Sequence, residues 1–199
     1  MLLKITAKHQ SDNMQSKNEK IVYQGKMIEI IHETVSSNGK EIMLERGRRA
    51  PGVRLIIETK DGEFLISKEE RHTIGLDYRL PGGKVFDSLV EYNNFLSNQK
   101  DPQEILNKVE EAVIKEGKEE AGIKPLKIKL FDISKCGGSF EWDLYYFIVK
   151  EYEEVVQNLE EHEQIEIIKV SRDKLKELAL SNKMKEDRSV AVILKYLNK

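Results

Sequence analysis

The stretch K-E-G-K-E-E-A-G-I, residues 115–123, places three glutamates within five positions. On a helix, Glu116, Glu119 and Glu120 are spaced i, i+3 and i+4, so their carboxylates share one face. Like charges at this spacing destabilise a helix by roughly 0.2–0.5 kcal/mol per pair. A divalent cation would offset that repulsion, because Mg²⁺ prefers oxygen ligands and is bound through a few carboxylates together with substrate phosphates. The stretch is therefore a candidate metal-binding face of a helix.

A solvated acidic face is the alternative interpretation, since Lys115 and Lys118 lie among the glutamates and 34% of the chain is charged. Gly117 favours a functional face. Glycine inside a helix costs about 1 kcal/mol relative to alanine, so its presence indicates the close approach of another backbone or a local irregularity. The helix is expected to start near Asp101 and to stop at Gly122 in a left-handed conformation.

Segments with strand character lie on both sides of this helix. Apolar or alternating runs predict strands at residues 27–35, 40–46, 53–59, 63–68, 79–85, 126–133, 142–149 and 164–170. Two more helices are predicted at 171–180 and 187–197, whereas residues 87–100 have no clear period. Strands dominate, one helix lies mid-chain and two helices close it, which predicts an α+β fold with a mostly antiparallel or mixed sheet.

Composition and charge exclude several classes of protein. Hydrophobic residues make up 39% of the 199 residues, which argues against general disorder. A net charge of −2 predicts no nucleic-acid partner, and no apolar run has the length that spans a bilayer, so no membrane partner is expected. The lone Cys136 allows no intrachain disulfide and the first residues do not resemble a signal peptide. These features predict a cytoplasmic location.

The stretch R-L-P-G-G-K, residues 79–84, is the second feature of chemical interest. A proline followed by two glycines leaves backbone groups uncovered, so that a carbonyl can reach a metal ion or an amide a phosphate; a plain turn is the alternative. Together with the glutamate helix, this stretch resembles the Nudix hydrolase family. The glycine that opens the family's sequence box is matched by Gly83. The closing half of the box is matched at Glu116, Glu119, Glu120, Gly122 and Ile123.

The resemblance runs from about residue 20 to the end and is closest to the ADP-ribose pyrophosphatase branch. It implies a Nudix-like α/β/α sandwich with a mixed sheet and a preceding N-terminal strand segment. The implied division of the chain is a mobile arm at 1–20, an N-terminal β segment at 21–50 that forms a homodimer, and a catalytic domain at 51–199 with an insertion at about 87–100. Two departures are Lys115, where the family has arginine, and Gly117, where it has an aliphatic residue.

The activity implied by the resemblance is Mg²⁺-dependent hydrolysis of the diphosphate in a nucleoside diphosphate derivative such as ADP-ribose, giving AMP and ribose 5-phosphate. Mn²⁺ is a possible substitute for Mg²⁺. The implied metal ligands are Glu116, Glu120, Glu119 and the Gly83 carbonyl, with Lys115 steadying the carboxylates. Nucleoside triphosphates or other nucleotide sugars are alternative substrates. A non-catalytic module that binds a nucleotide is the alternative class of protein.

Further roles implied by the resemblance fall on two glutamates and three arginines. The general base would come from a loop late in the chain, where Glu161 matches best and Glu163 is the second choice; an acidic surface loop is the alternative. Arg71, Arg49 and Arg79 are candidates for contact with substrate, and surface ion pairs are the alternative for them.

Overall fold

The computed structural model describes residues 15–99, 101, 103–159 and 164–199, with the backbone alone for 15–18. In chain order the described elements are β1 (Gln15–Gln24), β2 (Glu29–Ser37), β3 (Lys40–Arg48), β4 (Gly52–Glu58), β5 (Phe64–Arg71), β6 (Gly75–Arg79), α1 (Leu89–Asn98), α2 (Gln103–Glu119), β7 (Ile123–Ser134), β8 (Phe140–Glu141), β9 (Leu144–Glu154), β10 (Ile165–Val170), α3 (Arg172–Leu180) and α4 (Asp187–Leu197). None of these described helices combines the length and apolar character needed to cross a membrane.

The chain divides into two compact units. The first comprises the residues up to Arg49 together with Cys136–Glu141, and the second comprises Ala50–Lys135 together with Trp142–Lys199. The first unit is a four-stranded sheet in the order β1-β2-β3-β8. Its β2–β3 turn carries Asn38 and Gly39 at φ 52° and 74°. These are the left-handed conformations that a two-residue hairpin requires, and the stretch S-S-N-G, residues 36–39, supplies the asparagine and glycine that adopt them most easily.

The N-terminal arm predicted for residues 1–20 is too long, because β1 begins at Gln15 and pairs with β2. Residues 1–14 lie outside the described part of the chain. The reason for the difference is that β1 is an edge strand, which needs backbone pairing on one side only. Its polar side chains, such as the exposed Glu19 and Lys20, therefore give no alternating pattern to read.

The second unit is built on a mixed sheet in the order β10-β5-β4-β9-β7, with β6 paired to β5. β4 and β9 run parallel, and the other pairs are antiparallel. Side chains of β4 alternate between two hydrophobic clusters. Val53 and Leu55 pack with Val113 of α2, whereas Ile56 packs with Val192 of α4. Helices thus cover both faces of the sheet, and the predicted α+β class with α/β/α layering is confirmed.

The strand predicted at residues 79–85 is wrong. The strand in this region is β6, which ends at Arg79, and beyond it only an isolated bridge joins Lys84 to Gly52. Proline cannot donate to a ladder and Gly82 takes φ 139°, so the segment turns away from the sheet. It becomes the turn that faces α2.

Residues 87–100, which show no clear period in the sequence, contain the helix α1. The Ser88 hydroxyl caps it by accepting from the Glu91 backbone N–H at 3.2 Å. Phe86 is buried, and its ring centroid lies 5.1 Å from those of both Tyr92 and Phe95. This segment therefore has a small aromatic core of its own.

The central helix α2 ends as predicted, with Gly122 at φ 62° just beyond it. Its internal glycine also has an explanation. A Cβ on Gly117 would lie 2.9 Å from Cγ of Pro125 and 3.3 Å from the Ile123 carbonyl oxygen. Glycine at this position thus lets α2 approach the start of β7, as expected from the sequence.

Candidate active site

The turn after β6 brings two consecutive glycines against the carboxylates of α2. The Gly82 N–H donates to Glu120 Oε2 at 2.7 Å. A Cβ on Gly83 would lie 2.6 Å from Cδ of Glu116, so the absence of a side chain is what admits this carboxylate. Sequence positions 82–83 and 116–120, predicted to act together, therefore meet in the fold.

Backbone N–H groups of β4 also donate hydrogen bonds to the carbonyls of this turn. Leu55 N–H donates to the Pro81 carbonyl at 2.8 Å and Val53 N–H to the Gly83 carbonyl at 2.9 Å. A Cβ on Gly82 would collide with the Val53 carbonyl, which together with the positive φ makes glycine necessary there. The Gly83 carbonyl, an implied metal ligand, thus already accepts one hydrogen bond from the sheet.

The three glutamates of α2 do not have equal environments. Glu116 and Glu120 are 7% and 9% exposed, whereas the Glu119 side chain is 32% exposed. Lys115 Nζ lies 4.0 Å from Glu119 Oε2 and 3.6 Å from Asp87 Oδ1. Partial burial alone lowers the pKa of Lys115, but the carboxylates of Glu119, Asp87 and Glu116 raise it overall. Lys115 therefore stays charged beside the acidic face.

Within the described residues, no group of three or more histidine, cysteine, aspartate and glutamate side chains lies close enough together to hold a metal ion. Two buried carboxylates remain side by side at the turn, and this smaller donor set still fits Mg²⁺. That ion is usually bound through one or two carboxylates, while waters and substrate phosphates complete its shell. The metal ligands named from the sequence remain predictions.

A cleft of 390 Å³ lies at Glu120. Its lining residues come from the end of β5, the following turn, α2 and the start of β10: Glu69, Glu70, Arg71, His72, Thr73, Glu120, Gln164 and Ile165. Arg71 is therefore at the cleft, as the substrate-binding prediction requires. Its Nη1 donates to Glu69 Oε2 at 2.6 Å, an exposed pairing that a phosphate could replace.

Glu161 and Glu163, named as first and second choice for the general base, lie outside the described residues. The described segment before them is attached to the end of α2. Gln157 Nε2 donates to the Glu120 carbonyl at 2.6 Å, and Asn158 N–H donates to the Glu119 carbonyl at 3.1 Å. On the other side of the gap, Gln164 lines the cleft. Both flanks of the undescribed loop thus lie beside the candidate site.

The two remaining arginines occupy different surroundings. Arg79 has its guanidinium 3.3 Å from Glu186 and 3.6 Å from Asp77, all within the second unit. Arg79 is thus held in an internal ion-pair network and is not among the residues that line the cleft. Arg49 belongs to the first unit, where its backbone N–H donates to the Glu141 carbonyl at 2.9 Å.

Sequence reasoning missed Arg54 and Glu186. Nη2 and Nε of Arg54 donate to Glu186 Oε1 and Oε2, each at 2.8 Å, and Arg54 is only 5% exposed. The available signal was a lone arginine within the apolar run V-R-L-I-I, since an arginine in a buried strand needs a partner. The partner lies 132 residues later in the chain, too far away for spacing to reveal it.

Comparisons with known proteins place the fold. No protein-family model and no curated protein matches the sequence. Among solved structures, the chain is similar to a protein described as an ADP compounds hydrolase, with a TM-score of 0.69 and 17% sequence identity. The similarity covers 94% of this chain and 92% of that one. At this level of identity the likeness establishes the shared fold.

Proposed function

We propose that this chain is a Mg²⁺-dependent Nudix-type pyrophosphohydrolase that cleaves the diphosphate of a nucleoside diphosphate derivative, with ADP-ribose as the first candidate substrate. The observation that carries the proposal is the pair of buried carboxylates, Glu116 and Glu120, set against the Gly82–Gly83 turn at the edge of a cleft. Mg²⁺ is usually bound through one or two such carboxylates, with waters and substrate phosphates completing its shell. The fold similarity to an ADP compounds hydrolase supports the same class of substrate.

In the proposed reaction, a water oxygen forms a bond to one phosphorus, and the bond from that phosphorus to the bridging oxygen breaks. Glu116 and Glu120 would hold the cation, with Glu119 and the second lone pair of the Gly83 carbonyl nearby. Bound Mg²⁺ would neutralise the negative charge of the phosphates. Arg71 would contact a phosphate in the cleft, and Lys115 would keep the acidic helix face oriented. Glu161 would accept the proton of the attacking water.

The test is release of a nucleoside monophosphate, together with sugar phosphate from ADP-ribose and other nucleotide sugars or with pyrophosphate from nucleoside triphosphates, measured with Mg²⁺, with Mn²⁺ and with EDTA. We expect turnover of a diphosphate derivative that EDTA abolishes. Glu116→Gln and Glu120→Gln should each lower kcat/KM at least about 100-fold, because each removes a charge that stabilises the transition state through the cation.

Glu110→Gln is the matched control, since Glu110 is an exposed glutamate of α2. Its kcat/KM should equal that of the wild type. Full activity of both Glu116→Gln and Glu120→Gln would contradict the proposal. Binding of a nucleotide without hydrolysis across the whole panel would instead assign the chain to the class of nucleotide-binding modules.

A further inference from the structure

Arg54 is a charged residue in the middle of the most buried strand of the second unit. Its neighbours Val53 and Leu55 are fully buried and face α2. Arg54 itself points to the opposite face, where α4 begins. A guanidinium in such a place is retained only when every donor is engaged, because an uncompensated buried charge is strongly destabilising.

All three guanidinium nitrogens of Arg54 have partners. Nε and Nη2 form a bidentate pair with Glu186. Nη1 donates to the Val53 carbonyl at 2.9 Å and to the Gly82 carbonyl at 3.1 Å. Burial alone lowers the pKa of Arg54, but the Glu186 carboxylate, with a smaller contribution from Glu120, raises it overall. The fork geometry of arginine therefore links a carboxylate on one side to two carbonyls on the other.

The Gly82 residue is bound from both sides as a result. Its N–H donates to Glu120 Oε2, and its carbonyl accepts from Arg54 Nη1. These two bonds fix the orientation of the turn relative to the carboxylate pair of α2. A displacement of the Arg54 guanidinium would remove one of these two bonds and leave the Gly82 peptide held by Glu120 and by the hydrogen bonds from β4 to its neighbours.

Glu186 is in turn held in place by the start of α4. It accepts from the Ser189 hydroxyl, and Arg79 Nη2 lies 3.3 Å from its Oε1. Ser189 also contacts Tyr146, whose hydroxyl lies 3.2 Å from Ser189 Oγ. Asp77 accepts from the Lys185 backbone N–H at 2.8 Å, which fixes the same segment to β6. The guanidinium of Arg54 thus has a rigid support.

We propose that Arg54 is a positioning residue of the candidate active site, which holds the Gly82 peptide in the orientation that Glu120 and Glu116 need, with Glu186 as its support. This inference rests on the proposed function for its effect on turnover, but its structural part is independent of any activity. A role limited to folding is the competing explanation, and the two explanations differ in what happens when both partners are replaced together.

The experiment compares Arg54→Lys, Arg54→Met and the double variant Arg54→Met/Glu186→Gln with the wild type. The double variant leaves no uncompensated buried charge, so it should regain most of the stability lost by Arg54→Met. If Arg54 positions the turn, kcat/KM in the double variant stays about 100-fold below wild type. The decrease should lie in kcat, the Mg²⁺ concentration needed for half-maximal rate should rise, and the KM for substrate should stay the same. Arg54→Lys should also fail to restore kcat, because lysine lacks the fork.

Two readouts need no activity. By NMR, hydrogen exchange of the Gly82 amide should be at least about tenfold faster in Arg54→Met and in the double variant, while the Phe147 amide in the core keeps its wild-type rate. Water-proton relaxation should report weaker binding of Mn²⁺ alone by about tenfold. The control is Arg172→Met, which removes an arginine that donates to the Leu197 carbonyl. It should change neither the exchange rate of the Gly82 amide nor the affinity for Mn²⁺.

Unchanged Gly82 exchange in the double variant, or wild-type kcat once stability is regained, would overturn the inference. If the wild type hydrolyses nothing on the nucleotide panel, the proposed function fails, and Gly82 exchange still decides the role of Arg54.

Discussion

Gly117 lies where α2 packs closely on the start of β7, and the Nudix sequence pattern that this stretch resembles has a larger aliphatic residue at that position. The first prediction is that Gly117→Ala destabilises the protein, although alanine gains about 1 kcal/mol of helix propensity over glycine. The added Cβ would lie 2.9 Å from Pro125 Cγ, and overpacking costs about 1–3 kcal/mol. Urea denaturation should report a net loss of about 1 kcal/mol in the free energy of unfolding.

Two further variants test the cause. Gly117→Ala/Pro125→Ala should be more stable than the sum of the two single effects, because the double variant removes the collision. Gly138→Ala is the control, since nothing lies within 4 Å of the added Cβ there. Strict additivity of Gly117→Ala and Pro125→Ala would refute close packing as the reason for this glycine.

The second prediction concerns acid stability through Glu186. Burial by itself raises the pKa of this carboxyl, but Arg54 and Arg79 hold it down at about 2, against an ordinary value of 4.5. A lowered folded-state pKa stabilises the protein fully above pH 4.5, and the stabilisation disappears as pH falls towards 2. The contribution is about 3 kcal/mol. Urea unfolding between pH 5 and pH 2 should therefore show the wild type losing its advantage over Glu186→Gln.

The control for this titration is Glu177→Gln. Glu177 is exposed, and Lys174 Nζ lies 2.7 Å from its Oε1, a surface pairing of small effect. Its stability difference from wild type should be small at every pH. A constant difference between wild type and Glu186→Gln over the whole range would contradict the assignment.

At the scale of elements, the sequence pattern predicts an element correctly where it contains a compact apolar run or clear signals at its ends. β4, β5 and β9 contain short apolar runs, and α2 has both a capping aspartate and a left-handed glycine. Asp101 Oδ1 accepts from the Gln103 N–H at 2.8 Å. α1 was missed although Ser88 and Glu91 give a capping signal, because two of its aromatic residues, Tyr92 and Phe95, pack on Phe86 just before the helix and give no clear helical period.

The third prediction concerns the loop between β9 and β10, which carries the implied general base. The glutamates of α2 are poor bases if they bind a cation, since a metal-bound carboxylate has lower basicity. The described segment just before the loop is attached to the carbonyls of Glu119 and Glu120 through Asn158 and Gln157. Glu161→Gln should lower kcat by roughly 10²–10⁴-fold, with little change in KM or Mg²⁺ dependence.

Steady-state kinetics over a range of Mg²⁺ concentrations measures this effect. Glu163→Gln should do less, and the exposed Glu166→Gln, whose glutamate pairs with Lys68, should have no effect. A larger effect of Glu163→Gln would move the role to that residue. Wild-type turnover in both Glu161→Gln and Glu163→Gln would remove the base from this loop.

At the scale of the whole molecule, the fold class was predictable and the ion-pair network was not. The nearly continuous apolar runs of β4 and β9 indicate a sheet that is covered on both faces, whatever the order of the strands. The pairing of Arg54 with Glu186 depends instead on which strand lies beside the start of α4. That information comes from the packing of the complete sheet, which neither residue type nor spacing encodes. Glu116 and Gly83 could be connected from sequence only through the family resemblance.

The first unit carries exposed apolar side chains that a soluble sheet normally avoids. The large apolar residues of the first unit that are at least 41% exposed include Ile21, Val22 and Tyr23 on β1, Ile28 just before β2, and Ile42 and Met43 on β3. Several exposed apolar side chains on one sheet are typical of a surface that another protein covers. A second copy of the chain satisfies this requirement with closed symmetry, which agrees with the homodimer expected for the N-terminal β segment.

The last prediction is that the protein is a dimer at micromolar concentration and that its first unit makes the contact. Tyr23→Glu and Met43→Glu would each place a carboxylate on the apolar surface, since these side chains are 62% and 65% exposed. Burying that charge in an interface without a partner is strongly unfavourable, so light scattering should give a monomer for both variants. Leu180→Glu, at a 63% exposed position of α3 in the second unit, should remain dimeric. A monomeric wild type would end the homodimer hypothesis, and dissociation by Leu180→Glu alone would move the contact to α3.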